Sequence, residues 1–270
     1  MNKVILVTGG SSGIGRAIAS HLASLGHEVY GTSRKVSSGT QLDNFTLVQM
    51  DVTDEKSVVN AIEYVRDQSK RLDVLVNNAG LGMAGPIEST SNAEVREIYE
   101  TNVMGLLNSC RHAIPLIRSG GGGHIINVTS IGGLISLPFR GIYCSSKYAV
   151  EGITETLSME LKRDNIKVSI IEPGDFKTNI NSNRRVVKLI DDEVYGEDFS
   201  RTLAQINEEV SSAPTPEPIA RKVAEIIQMD SPRLRYKVAT FQQRLSVVLK
   251  RFTPDRFFEN LIMKFYKLKQ

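Results

Sequence analysis

Through most of this chain, short runs of β-branched and aliphatic residues alternate with longer segments whose apolar positions return at helical spacing. The first pattern marks strands buried on both faces and the second marks amphipathic helices, so their alternation predicts βα units and a parallel sheet covered on both sides. Strands are expected at residues 3–7, 28–33, 46–50, 74–77, 124–128, 167–171 and 236–239. Helices are expected at 14–25, 55–69, 94–117, 143–162 and 217–228. The order is βαβαβ twice, then a seventh strand.

Residues 120–123 read as a turn before a strand, and the three prolines within 211–218 end one helix and begin another. No low-complexity linker interrupts the pattern, so residues 1–240 read as one domain. Residues 178–212 are polar and charged, carry no strong strand, and follow the C-terminal end of a strand. Substrate loops of open α/β sheets lie there, and the segment is expected to form a mobile lid. In residues 241–270, Leu245, Val248, Leu249 and Phe252 recur at helical spacing before Pro254, and Phe257, Phe258, Leu261, Ile262 and Phe265 do so after it. These stripes predict an extension of two amphipathic helices.

With 270 residues, 41% apolar and 23% charged, the composition is that of a soluble globular protein with a substantial core. The start has one lysine followed by only four aliphatic residues, too few for a signal peptide, and no run reaches membrane-spanning length; a cytoplasmic address is expected. Cys110 and Cys144 lack C-x-x-C spacing, and His21, His27, His112 and His124 lack the spacing of a metal site or triad. No metal is expected. The net charge of +3 is uneven, because residues 241–270 hold seven Lys/Arg against two Asp/Glu. A body that is otherwise near neutral argues against a nucleic-acid binder.

T-G-G-S-S-G-I-G, from Thr8, follows the first strand and opens the first helix. Gly9, Gly13 and Gly15 permit a tight turn and close approach of a pyrophosphate to backbone N–H groups, with Ser11, Ser12 and Ile14 completing the turn. The second strand ends in T-S-R-K, without the acid expected of an NAD site. Ser33, Arg34 and Lys35 instead offer donors to a 2′-phosphate, which predicts NADP(H) over NAD(H). Asp51 follows the third strand and can accept from an adenine amino group, with Val52 supplying a backbone contact; alternatively D-V-T-D-E caps the next helix through Thr53 or Asp54. Tyr143 and Lys147 stand one helical turn apart, so an ammonium there favours tyrosinate and can make a proton donor, although surface helices also reach this spacing by chance.

Together these motifs resemble the short-chain dehydrogenase/reductase family. The matching pieces are the turn at Thr8, D-V at Asp51, N-N-A-G at Asn77, the asparagine of E-T-N-V-M-G at Asn102, the serine ending I-N-V-T-S at Ser130, Y-C-S-S-K at Tyr143 and P-G-D-F-K-T at Pro173, in the family's order. The resemblance implies a single α/β Rossmann domain with a doubly wound seven-stranded parallel sheet. It makes Tyr143 the acid/base, Ser130 the group orienting the substrate oxygen, Lys147 the tyrosine's electrostatic partner and ribose ligand, and Asn102 the anchor of a proton-relay water. Asn78, Ala79 and Gly80 would contact the adenosine side through their backbone. Pro173, Gly174 and Thr178 would surround the nicotinamide, with Phe176 in place of the aliphatic residue often found there. At about 4 Å and an effective dielectric near 20, one positive charge favours phenolate by up to roughly 4 kcal/mol. Cys144 points about 100° around the helix from Tyr143 and reads as packing.

The implied reaction interconverts a ketone or aldehyde and an alcohol, and the mostly apolar loops 81–86 and 131–140 point to a hydrophobic substrate. The alternative is a redox-sensing cofactor binder with little chemistry. The tail and the two motifs T-S-R-K and P-G-D-F-K-T resemble the branch containing 17β-hydroxysteroid and retinol dehydrogenases. The extension either covers the substrate pocket or a subunit interface, or docks its apolar stripe and surrounding cations on an anionic membrane. A homodimer or homotetramer through the helices bearing Asn102 and Tyr143 is implied by the resemblance.

Overall fold

A computed structural model describes residues 2–178 and 184–268. Residues 179–183 of the expected lid and 269–270 of the tail lie outside the described residues. The strands are β1 (Val4–Val7), β2 (Glu28–Ser33), β3 (Thr40–Leu42), β4 (Phe45–Gln49), β5 (Val74–Asn77), β6 (Met83–Ala84), β7 (Gly123–Val128), β8 (Ile166–Pro173), β9 (Arg185–Val186) and β10 (Arg235–Val238). The helices are α1 (Gly13–Ser24), α2 (Glu55–Ser69), α3 (Asn92–Tyr99), α4 (Gly105–Ser119), α5 (Gly141–Glu160), α6 (Asp192–Ser212), α7 (Glu217–Ile226), α8 (Phe241–Phe252) and α9 (Asp255–Phe265).

The sheet runs β10-β8-β7-β5-β1-β2-β4-β3. All its neighbours pair in parallel except β3, which returns antiparallel along β4 through a turn where Asp43 takes φ 53°. The seven expected parallel strands are all present, and β3 adds an eighth, antiparallel strand at the edge. β3 is three residues long, too short and polar to carry a periodicity. A separate parallel pair, β6 with β9, was likewise invisible in the sequence.

Adjacent strand residues feed opposite cores. Leu6, Leu75 and Ile125 pack with Val58, Ile62 and Val65 of α2, Cys110 and Ile117 of α4, and Val150 of α5. Their neighbours Ile5, Val74 and Ile126 pack with Ile18 and Leu22 of α1 and Ile219 and Val223 of α7. Each such buried side chain contributes about 1.5–3 kcal/mol by leaving water, which is why these strands read as continuous apolar runs.

The predicted helix 94–117 is not uniform. A capping box between Ser91 and Glu94 starts α3, and a π-helical turn, Glu100–Met104, separates it from α4. This turn widens the helix by one residue and presents Asn102 toward the sheet's C-terminal edge. The predicted lid is mostly α6. Asp191 caps it by accepting from the N–H groups of Glu193 and Val194, and Phe199, Thr202, Ile206 and Val210 form one narrow buried stripe. That stripe is diluted by polar residues on all other faces, so the segment reads as a loop.

Candidate active site

The loops after β1, β2, β4, β5, β7 and β8 leave the same edge of the sheet, and the strand order reverses between β1 and β5. A crevice at such a reversal is where open α/β sheets bind ligands. Here it is a cleft of about 710 Å³. All the predicted site residues line it except Gly15 and Asn102, which stand behind its surface.

At one end, the turn after β1 brings Gly9 and Gly13 to φ 66° and 54°. A Cβ on Gly15 would lie 2.3 Å from the Gly9 carbonyl oxygen and 2.5 Å from Asn78 Nδ2, so this position holds the turn against the β5 loop rather than touching a ligand. The Thr8 hydroxyl accepts from the N–H groups of Asn78 (2.9 Å) and Ala79 (3.0 Å), and Asn78 Nδ2 donates to the Thr8 carbonyl at 2.9 Å. Ser12, the N-cap of α1, makes no side-chain cap bond among the described residues, and the first turn has no acid. The free N–H groups and helix dipole suit an anion, so this end fits the pyrophosphate of a dinucleotide.

Ser33, Arg34 and Lys35 line the cleft beyond that turn, with both cations exposed. Asp51 also faces the cleft, but its Oδ1 accepts from the backbone N–H and hydroxyl of Thr53. Of the two alternatives for the cap of α2, Asp54 fills the position, accepting from Lys56 N–H at 3.0 Å. The Val52 carbonyl accepts from Asn108 Nδ2 at 3.2 Å.

Toward the centre stand Ser130, Tyr143 and Lys147. Ser130 lies two residues beyond the end of β7, where its hydroxyl accepts from Gly132 N–H at 3.0 Å. Tyr143 and Lys147 share one face of α5, and Lys147 Nζ donates to the Val128 carbonyl at 3.2 Å. The Lys147 ammonium lies 6.0 Å from the Tyr143 ring centroid, and the Arg140 guanidinium is nearer at 5.2 Å. Burial pushes the Tyr143 phenol up, opposed first by the Arg140 charge and then by the Ser130 hydroxyl. Arg140 was legible only as part of a substrate-facing loop. Its place at the start of α5, where a cation opposes the helix dipole, is the signal that could have singled it out.

Asn102 Oδ1 accepts from Leu81 N–H at 2.7 Å, while Nδ2 donates to the Leu81 carbonyl and the Ser146 hydroxyl, both at 3.0 Å. The side chain thus ties the π turn to the β5 loop and α5. Gly80 keeps the space between them open, since a Cβ there would lie 3.2 Å from Asn102 Oδ1 and 3.6 Å from Lys147 Nζ. Cys144 packs with Met83, Ile98 and Val187 in a small buried cluster.

Behind Lys147 sits a group of charges that sequence reasoning missed. Burial pushes Lys147 down to about 8, against the pull of Glu151 one turn further along α5. Glu151 accepts from the Thr129 hydroxyl (2.7 Å) and from Arg235 Nε (2.9 Å). Glu172 on β8 is wholly buried, 3.5 Å from both Arg235 and Lys237. Burial, and then the Glu151 charge, push it up to about 7. The folded chain therefore holds this proton more tightly than the unfolded chain, so the stabilisation is complete below the ordinary carboxylate range and is lost as pH rises toward 7. Glu172→Gln should flatten the stability profile across this window, by up to about 3 kcal/mol in denaturant titrations; an unchanged slope between native and variant would refute this.

The far wall comes from the segments after β8. Arg185 of β9 grips Glu97 of α3 through two guanidinium nitrogens, at 2.9 and 2.7 Å. Gln243 at the start of α8 donates to Asp175 Oδ2 at 2.6 Å. Phe258 of α9 packs against Ile131 and Ile135 of the loop that follows Ser130. Tyr266 is buried, and burial raises its phenol. The C-terminal extension thus packs behind the cleft, against the loop that follows Ser130 and against Asp175, and no residue of it lines the cleft among the described residues.

The short chain dehydrogenase family model matches residues 3–187, and the chain belongs to that family of oxidoreductases. Among curated relatives, the 3-ketodihydrosphingosine reductase of Bacteroides thetaiotaomicron is 37% identical over 268 residues, covering 99% of both chains. The human 17-beta-hydroxysteroid dehydrogenase type 1 is 32% identical, covering 97% of this chain and 80% of its own. Among solved structures, a short-chain dehydrogenase from Streptomyces avermitilis superposes with a TM-score of 0.83 at 29% identity, over 99% of this chain and 98% of that one. A Burkholderia phymatum member in complex with NAD (TM-score 0.77, 25% identity, 93% of each chain) and ElxO with NADP bound (0.72, 27%, 88% of this chain and 98% of that one) share the fold.

Proposed function

We propose that the chain is an NADP(H)-dependent oxidoreductase that interconverts a ketone or aldehyde and an alcohol on a hydrophobic substrate, with Tyr143 as its acid/base. The observation carrying this reading is the convergence of Ser130, Tyr143 and Lys147 on one cleft with the glycine turn and the Arg34–Lys35 pair. The bound nicotinamide would supply or take the hydride. The chain's own residues handle the oxygen: Ser130 orients it, and the Tyr143 phenol donates the proton in the reducing direction. Burial keeps that phenol protonated in the resting site, the Arg140 charge and then the Ser130 hydroxyl favour the phenolate left after donation, and Lys147 is a second cation 6.0 Å from the ring centroid. Asn102 fixes the turn beside Lys147, and the loop residues Asn78, Ala79 and Gly80, with Pro173, Gly174, Phe176 and Thr178 opposite, border the space for the cofactor.

The apolar residues Leu81 and Met83 in the cleft support a substrate with a large hydrocarbon part. So does the likeness to a 3-ketodihydrosphingosine reductase over nearly the whole chain. The test is NADPH oxidation at neutral pH against carbonyls graded from small and polar to large and apolar, including 3-ketodihydrosphingosine and a ketosteroid. Turnover favouring the large apolar members is the expected result; turnover confined to small polar carbonyls would refute the substrate class. Tight NADPH binding without any turnover would favour the sensor alternative.

Cofactor choice has its own test. Arg34→Ala removes the planar donor fork facing the place of a 2′-phosphate. It should raise the KM for NADPH by roughly 10- to 100-fold and leave that for NADH within a few-fold. Equal effects on both cofactors would overturn the assignment of Arg34.

A further inference from the structure

The two helices of the C-terminal extension bury one face and leave the other bare. Inward, Phe258, Val247, Leu249 and Ile262 pack with Ile131 and Ile135 of the loop beside Ser130. Outward, Phe241, Leu245, Val248 and Phe252 fall within a narrow arc of α8. Phe257, Leu261 and Phe265 follow one another along α9. The four phenylalanines are 71%, 77%, 58% and 55% exposed in chain order. Isolated exposed apolar residues are ordinary, but two helical stripes of large ones, in consecutive helices, mark a surface that is covered in use.

The charges beside these stripes identify what covers them. Arg244 and Arg251 flank the α8 stripe, and Lys264 adjoins the α9 stripe by helical angle. Arg244, Arg251, Lys264 and Lys267 have no ion-pair partner among the described residues, and all four are exposed. The acids of this extension, Asp255 and Glu259, are already paired with Lys250 and Arg256. The formal charge of the whole chain is only +3, so the surplus of cations in residues 241–270 makes this end of the molecule basic and the remainder slightly acidic. Bare aromatic stripes bordered by unpaired cations match the boundary of an anionic lipid bilayer, where rings enter the acyl region and cations meet phosphates. Among the described residues no helix is long and apolar enough to cross a membrane, so the contact is one of lying on the surface.

We propose that α8 and α9 dock the protein reversibly on an anionic membrane. Because the inner faces of these helices pack on Ile131 and Ile135 of the loop that follows Ser130, docking brings that end of the molecule near the bilayer, where an apolar carbonyl resides. That route rests on the proposed reductase reading; the docking itself does not.

The test is co-sedimentation of the full chain with phosphatidylcholine vesicles, with and without phosphatidylserine, at low and high salt. Phe241→Ser/Phe252→Ser and Arg251→Glu/Lys264→Glu variants are run alongside. The native chain should bind the anionic vesicles at least about tenfold more tightly than the neutral ones and weaken as salt rises. Each double variant should lose about tenfold or more in affinity. Turnover of a soluble carbonyl should stay at the native level in both variants, which shows that they fold; loss of turnover in the native chain would count against the reductase reading alone. No binding to either vesicle, or binding unaffected by both variants, would overturn the proposal. If the phenylalanine variant instead splits an oligomer seen by sedimentation and the native chain ignores vesicles, the covering partner is a second copy of this chain and the proposal is wrong.

Discussion

Tyr143→Phe is expected to slow carbonyl reduction by roughly 100- to 10,000-fold, the usual contribution of one positioned acid–base group, while NADPH affinity stays within a few-fold of native. The substitution removes the phenol oxygen and keeps the ring. That ring packs with Met83, Ile98, Cys144 and Val187 and lies under the Arg140 guanidinium, contacts that phenylalanine retains. The variant should therefore melt close to the native temperature, so a loss of turnover reports the missing proton donor and not a missing fold. Full turnover in the variant would mean that the proton comes from elsewhere, and the role proposed for Tyr143 would fall.

Asn102→Ala should be damaging in a different way. The residue is almost fully buried, and its amide makes three hydrogen bonds, two to the Leu81 backbone and one to Ser146. Removing it leaves buried partners unsatisfied at about 1–3 kcal/mol each, so a total near 3 kcal/mol is a modest expectation. For a chain of this size that corresponds to a melting temperature lower by roughly 6–12 °C. Turnover should fall as well, because Leu81 and Gly80 border the cleft beside Lys147 and lose the bonds that hold them. A variant that melts within about 2 °C of native and keeps its activity would show that the π turn is maintained without this side chain.

Much of this site was legible because its parts are local. The turn at Thr8 needs only consecutive residues, and Tyr143 and Lys147 need only the pitch of a helix. Asp54 as a cap of α2 is equally local, and D-V-T-D-E held it as one of two alternatives. The contacts that escaped the sequence are those between distant segments. Arg185 and Glu97 are 88 positions apart, and Gln243 and Asp175 are 68 apart. Neither residue of either pair has a pattern that names its partner. The Glu151–Arg235–Glu172 group is likewise assembled from α5, β10 and β8, and only the pairing of β10 with β8 brings it behind Lys147.

The sequence by itself determined the alternation of strands and helices, the placement of a glycine-rich turn at the first helix and the family of the chain. These follow from burial on both faces of a parallel sheet and from spacings short enough to be read along one element. Tertiary structure alone decided the antiparallel edge strand, the extent of the helix in the expected lid, the π turn at Asn102 and the cation over Tyr143. It also decided which face of the C-terminal helices is buried, a choice the apolar pattern leaves open because both faces carry phenylalanine. Phe258 found a neighbour in the loop beside Ser130 and Phe257, one residue earlier, did not: a helix turns about 100° per residue, and only the packed partner selects the direction that points inward.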